Sequence, residues 1–157
     1  MEILVLSDSH GKVDHMVRAV EQFHPRQVLH LGDCVRDAQA LERQFPQLPV
    51  TMVPGNCDWG QTGEPERLLE IEASASSCCT ATPATSSPPL WLLSTPPGST
   101  GPTCCCSATP TSLWWTTTAL WVMNPGAAGD YTRPTCGLLT IREGIVTCSV
   151  QSISLGR

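Results

Sequence analysis

The run ILVLSDSHGK, Ile3 to Lys12, carries four aliphatic residues straight into Ser-Asp-Ser-His-Gly. The aliphatic part reads as a short strand, Glu2–Leu6, whose end delivers Asp8 and His10 into a loop. Working outward, the same pattern recurs. Val13, Met16, Val17 and Val20 repeat at helical spacing. Gln27–Leu31 reads as a second strand ending in Gly32-Asp33, and Leu41 and Phe45 fall on a second helix. Val50–Val53 reads as a third strand ending in Pro54-Gly55-Asn56-Cys57-Asp58. Strand, helix, strand, helix, strand implies a parallel sheet with crossover helices, hence an α/β fold. Residues 119–157 read as β: Ala119–Met123 runs into Asn124-Pro125-Gly126, and Cys136–Arg142 and Ile145–Ser152 form a hairpin about Glu143-Gly144.

In an open α/β sheet the carboxyl ends of the strands share one edge, where ligands bind. Asp8, His10, Asp33 and Asn56 are therefore expected to converge there. Carboxylate, imidazole and amide oxygen together suit a borderline divalent ion: Mn²⁺, Fe²⁺, Ni²⁺ or Zn²⁺. A centrally placed carboxylate such as Asp33 can bridge two ions about 3.5–4 Å apart. The glycines before Asp33 and Asn56 permit a sharp turn and close backbone approach. Each residue alone has a plainer reading: a cap or turn for Asp8 and His10, a helix N-cap for Asp33, a turn for Asn56. Three such ends in order, each after an aliphatic strand, tell against those readings taken together.

D-x-H, then G-D, then G-N-C-D resembles the calcineurin-like metallophosphoesterases, in particular the small bacterial and archaeal phosphodiesterase branch. Asn124-Pro125-Gly126 with Arg133-Pro134 looks like that branch's terminal segment. The resemblance implies an αββα sandwich, two packed sheets flanked by helices. It implies a dinuclear centre with Mn²⁺ as the first expectation, one ion held by Asp8, His10 and Asp33, the second by Asp33, Asn56 and two later histidines. It implies that water activated by the metals attacks phosphorus in line with the leaving group. Asp33 and Asn56 then belong to the catalytic machinery and Asp58 orients its neighbours. Cys57, where many relatives carry histidine, implies a preference for phosphodiesters. The expected substrate is a small phosphodiester or phosphomonoester. The superfamily also holds non-catalytic members, such as the retromer subunit, so a protein-interaction module on the same fold is the alternative.

Net charge is -5 with no Lys/Arg cluster, which gives no basis for a phosphate-neutralising nucleic-acid groove. With no leader and no apolar run of about 18 residues, a cytoplasmic protein with no membrane partner is expected. A homo-oligomer is left open. The nine cysteines include the runs Cys78-Cys79 and Cys104–Cys106. Adjacent cysteines rarely bridge separate elements, so a disulfide-stapled fold is not indicated.

We read residues 1–157 as one metallophosphoesterase domain, with a βαβαβ half at 1–72, an aberrant segment at 73–118 and C-terminal strands at 119–153. The aberrant segment holds no Asp, Glu, Lys, Arg or His in 46 residues, and is rich in Ser, Thr, Pro and Cys. Neither helical nor strand period persists, and the segment is expected to be poorly ordered. The family's two later motifs, His-Gly-His and Gly-His-x-His, are missing; the remaining histidines are His15, His24 and His30. His15 and His24 read as solvated, His30 as a packing residue. A shift of reading frame accounts for the loss. Read from each third base, the codons of Cys79-Thr80-Ala81-Thr82 become YAC, NGC and NAC, which can spell His-Gly-His. Those of Ser107-Ala108-Thr109-Pro110-Thr111 can spell Gly-His-Thr-His. Both lie behind runs that become aliphatic in the same frame. Residues 73–118 thus look like the product of two compensating lesions; the alternative is an authentic Ser/Thr/Pro-rich insert. Third bases read from the gene settle between the two.

Overall fold

The computed structural model describes residues 1–55, 57–58, 66–71, 74–79, 103–106, 120–143 and 145–156. Its elements in chain order are β1 (Glu2–Leu6), α1 (Val13–Phe23), β2 (Gln27–His30), α2 (Val35–Gln44) and β3 (Val50–Met52). There follow β4 (Glu66–Ile71), β5 (Ser74–Cys79), β6 (Thr103–Cys106), β7 (Leu120–Met123), β8 (Thr135–Arg142) and β9 (Ile145–Ser152). They form a five-stranded sheet ordered β3-β2-β1-β8-β9 and a four-stranded sheet ordered β4-β5-β6-β7.

The first sheet is parallel over β1, β2 and β3, with Leu6 opposite His30 and His30 opposite Met52. Their carboxyl ends therefore leave the sheet side by side. The hairpin β8–β9 joins antiparallel to β1, with Val5 opposite Gly137. Because β1 is central, its side chains are buried on both faces. Leu4 and Leu6 pack with Met16, Ala19 and Leu41 in a layer beneath the helices. Ile3 and Val5 point the other way, into a layer with Leu29, Leu139 and Ile141. Met123 at the end of β7 completes that second layer and joins the two sheets. Closeness here is strict: a Cβ on Gly137 would stand 2.4 Å from the Met123 side chain. The helices dock because their apolar residues recur at helical spacing. His15, Met16, Ala19 and Val20 are the buried face of α1, and Val35, Asp37, Ala38 and Leu41 that of α2.

This is the sandwich expected from the sequence, with strand boundaries agreeing to within a residue or two. Any helix layer beyond the second sheet falls outside the described residues. One correction concerns the segment 73–118. Two of its stretches, β5 and β6, are strands, although no alternation marks them. They pair through backbone ladders, β5 antiparallel to β4 and parallel to β6, and β6 parallel to β7. The residues whose shifted codons permit Leu or another apolar residue, Ser77–Cys79 and Thr103–Cys106, lie within these two strands, which end at Cys79 and Cys106. The residues that could spell the histidine motifs, 80–82 and 107–111, lie outside the described residues.

Candidate metal centre

Asp8 and His10 stand on the loop from β1 to α1, and Asp33 on the loop from β2 to α2. The parallel register places these loops next to each other, and Asp8 N–H donates to the Gly32 carbonyl at 3.3 Å. One ligand atom from each of Asp8, His10 and Asp33 lies within 4.8 Å of the other two. His10 Nε2 is 4.0 Å from Asp8 Oδ1. Asp33 is buried, Asp8 half-buried and His10 exposed, so the group opens from the interior toward solvent. No other described His, Cys, Asp or Glu joins it.

The backbone is bent to make this arrangement. Asp8, His10, Asp33 and Cys34 have φ of 52°, 44°, 56° and 80°, four of the six positive values among described non-glycine residues. Each costs on the order of 1 kcal/mol or more, and such strain gathers where function requires it. Gly55 makes room for Asp33: a Cβ there would stand 2.3 Å from the Asp33 nitrogen and 2.4 Å from its Oδ1.

Hydrogen bonds hold the bent loops. Asp33 Oδ1 accepts from the Cys57 N–H at 3.0 Å. Asp58 Oδ1 accepts from the N–H groups of Cys34 and Val35 at 3.0 and 2.7 Å, and its Oδ2 from Gly55 N–H at 2.9 Å. Asp58 thus caps α2 from the third loop, and the alternative reading of Asp33 as that cap is corrected. Asn56 lies outside the described residues. Asp58 stands apart from the three-residue group, and both of its oxygens are bonded to the main chain.

The loop after β7 closes the site from the other sheet. Ser7 Oγ donates to the Gly126 carbonyl at 2.6 Å, and Gly129 N–H to the Asp8 carbonyl at 3.0 Å. A Cβ on Gly129 would stand 2.4 Å from the Ser9 carbonyl oxygen. His15 takes part here, contrary to its reading as a solvated residue. It is buried, and its Nδ1 lies 2.9 Å from the Ala128 carbonyl. Its position on the inner face of α1, below this loop, is the reason. His24 is exposed and His30 is fully buried, as expected.

Sequence reasoning missed Asp37, which is 5 % exposed. Its Oδ2 accepts from Ser9 Oγ at 2.8 Å and from Gly11 N–H at 2.6 Å. The one available signal was an acidic residue in the first turn of a helix, which ordinarily means no more than a favourable dipole contact.

Electrostatics favour a cation at the three-residue group. Burial raises the pKa of Asp8 above the usual carboxylate range, and the neighbouring Asp33 charge adds to this; the Ser7 hydroxyl and His10 oppose it. Two carboxylates brought together against their mutual repulsion, beside an imidazole, form a donor set that a divalent cation of the borderline class satisfies.

Residues 1–86 match the sequence model of the calcineurin-like phosphoesterase superfamily domain. The chain belongs to that superfamily. No curated protein matches this phosphoesterase in sequence. Solved structures similar to it share its fold. An archaeal phosphodiesterase aligns with a TM-score of 0.66 at 17% identity, over 96% of this chain and 100% of that one. A predicted phosphoesterase of Streptococcus pneumoniae aligns with a TM-score of 0.62 at 15% identity, over 96% and 88%. Vps29 of Entamoeba histolytica, solved in complex with Zn²⁺, aligns with a TM-score of 0.59 at 15% identity, over 98% and 100%. Among the described residues, no helix of this phosphoesterase is long and apolar enough to cross a membrane.

Proposed function

We propose that this phosphoesterase is a cytoplasmic enzyme that hydrolyses small phosphodiesters at a dinuclear metal centre, with Mn²⁺ as the working ion. The observation that carries the reading is the meeting of Asp8, His10 and Asp33 within 4.8 Å at the carboxyl edge of three parallel strands. Divalent cations bound there would neutralise phosphoryl charge and lower the pKa of water. Asp8, His10 and Asp33 would hold the first ion. Asp33, on the central loop, would share its carboxylate with the second, together with Asn56. Asp58 would keep the third loop and the start of α2 in place through its three backbone contacts. Cys57, exposed beside Asp33, stands where many relatives carry histidine, which supports the preference for phosphodiesters.

The second half of the centre is missing from the chain as written, since all four histidines lie in the first 30 residues. The strand order supports a place for that half at the same edge. β5, β6 and β7 are parallel, and the loop after β7 packs on the Asp8 loop. The ends of β5 and β6 therefore face the same edge, and the codons that can spell His-Gly-His and Gly-His-Thr-His begin directly after them. This supports the shifted-frame reading and implies that the chain as written is impaired. The same shortage of ligands favours, as the second reading, an interaction module of the kind suggested by the fold shared with Vps29.

A chromogenic phosphodiester with Mn²⁺ separates the two. A chain with the shifted segment restored is expected to turn it over, and Asp33→Ala to lower the rate by 10³-fold or more, on the order of 4 kcal/mol. Turnover is expected to be weak or absent in the chain as written. Silence from the restored chain would overturn the enzymatic reading in favour of the module.

A further inference from the structure

We propose that Asp37 is a positioning residue: it fastens the loop that carries His10 to α2 and so sets the Asp8–His10–Asp33 group for cation binding. The inference rests on the metal-binding reading above.

The two bonds accepted by Asp37 Oδ2 come from Ser9 Oγ and Gly11 N–H, the residues on either side of His10. His10 between them has a left-handed backbone, φ 44°, which an ordinary side chain adopts only when its surroundings impose it. Asp37 is not itself a member of the ligand group. It is anchored in turn, because Asp58 of the third loop caps α2 three and two residues before it. The third loop thus holds the helix, and the helix holds the first loop.

A carboxylate only accepts, so the buried Ser9 hydroxyl directs its proton to Asp37. His30 Nε2, 3.3 Å from Ser9 Oγ, must then be the donor of that contact. This leaves Nδ1 as the bare nitrogen, and it is the one buried side-chain polar atom without a partner among the described residues. Burying a carboxylate is costly unless its oxygens are bonded. Its two bonds to Ser9 and Gly11 offset that cost, and an apolar residue at 37 could pack but could not fasten the loop.

The test is a calorimetric Mn²⁺ titration of the full chain, unsubstituted and as Asp37→Ala, His10→Ala and the double variant, with thermal unfolding of each. Loss of an outer partner typically weakens metal binding by about 10–100-fold. Asp37→Ala is expected to fall in that range. The double variant is expected to bind no more weakly than the weaker single one, because both changes remove the same ligand. Asp37→Asn, whose amide oxygen can accept both bonds, is expected to restore most of the affinity. Should Asp37→Ala not fold, Ser9→Ala, which removes one of the two bonds, replaces it in the same cycle. Full affinity in Asp37→Ala, or losses that simply add to those of His10→Ala, would overturn the proposal. Failure of the unsubstituted chain to bind Mn²⁺, or full affinity in His10→Ala, would overturn the metal-binding reading and this inference with it.

Discussion

Asp33 reaches its place only because residue 55 has no side chain, and Asp8 only because residue 129 has none. Around them the polar residues divide into three that face the opening and several that hold those three. His30 belongs to the second kind, and its burial has a consequence for stability. Desolvation pushes its pKa from 6.5 down to about 4, against the nearby charges of Asp37, Asp58 and Asp33. The folded chain keeps His30 neutral while the unfolded chain takes up a proton below pH 6.5. Above that pH the group is neutral in both states and contributes no pH dependence. Stability is expected to fall as the pH drops from 6.5 toward 4, by on the order of 3 kcal/mol. His30→Gln should remove this part of the slope in urea unfolding measured across the range; an unchanged slope would show that His30 is not its source. Asp8, His10 and Asp33 were legible in the sequence because each follows an aliphatic strand directly. Asp37 and His15 were not, because their partners, Gly11 and Ala128, are brought to them only by the folded topology.

The elements are few and each has a local reason. The helices α1 and α2 follow from apolar spacing, and β1 to β3 from aliphatic runs ended by Gly or polar residues. Neither helix has a side-chain cap from its own N-cap residue, Lys12 or Cys34. α2 instead depends on Asp58, more than twenty residues downstream. Loss of a cap costs about 1 kcal/mol, up to about 2. Asp58→Ala is expected near the top of that range, since it also releases Gly55 N–H, and denaturant unfolding would show the loss. A change below about 0.3 kcal/mol would mean that the helix start is satisfied otherwise. Residues 1–58 and the C-terminal strands β7, β8 and β9 were readable at this scale. β5 and β6 were not readable, because runs of Ser and Cys carry no apolar alternation, and only the neighbouring strands β4 and β7 supply the ladders they join.

At the scale of the whole molecule, the two sheets bring the carboxyl ends of six parallel strands, three from each, toward one edge. The family match over residues 1–86 puts the chain in the phosphoesterase superfamily, and the similar solved structures share its fold. The first sheet provides Asp8, His10 and Asp33; the second is joined to it through Met123 and the 124–129 loop. On the proposed reading these three side chains grip a divalent cation. Anomalous diffraction from crystals of the chain soaked in Mn²⁺ would locate it. A peak at ligand distance from Asp8, His10 and Asp33 is expected, and it should vanish in Asp33→Ala. Manganese bound elsewhere, or a site left empty while the three side chains keep this geometry, would contradict the account.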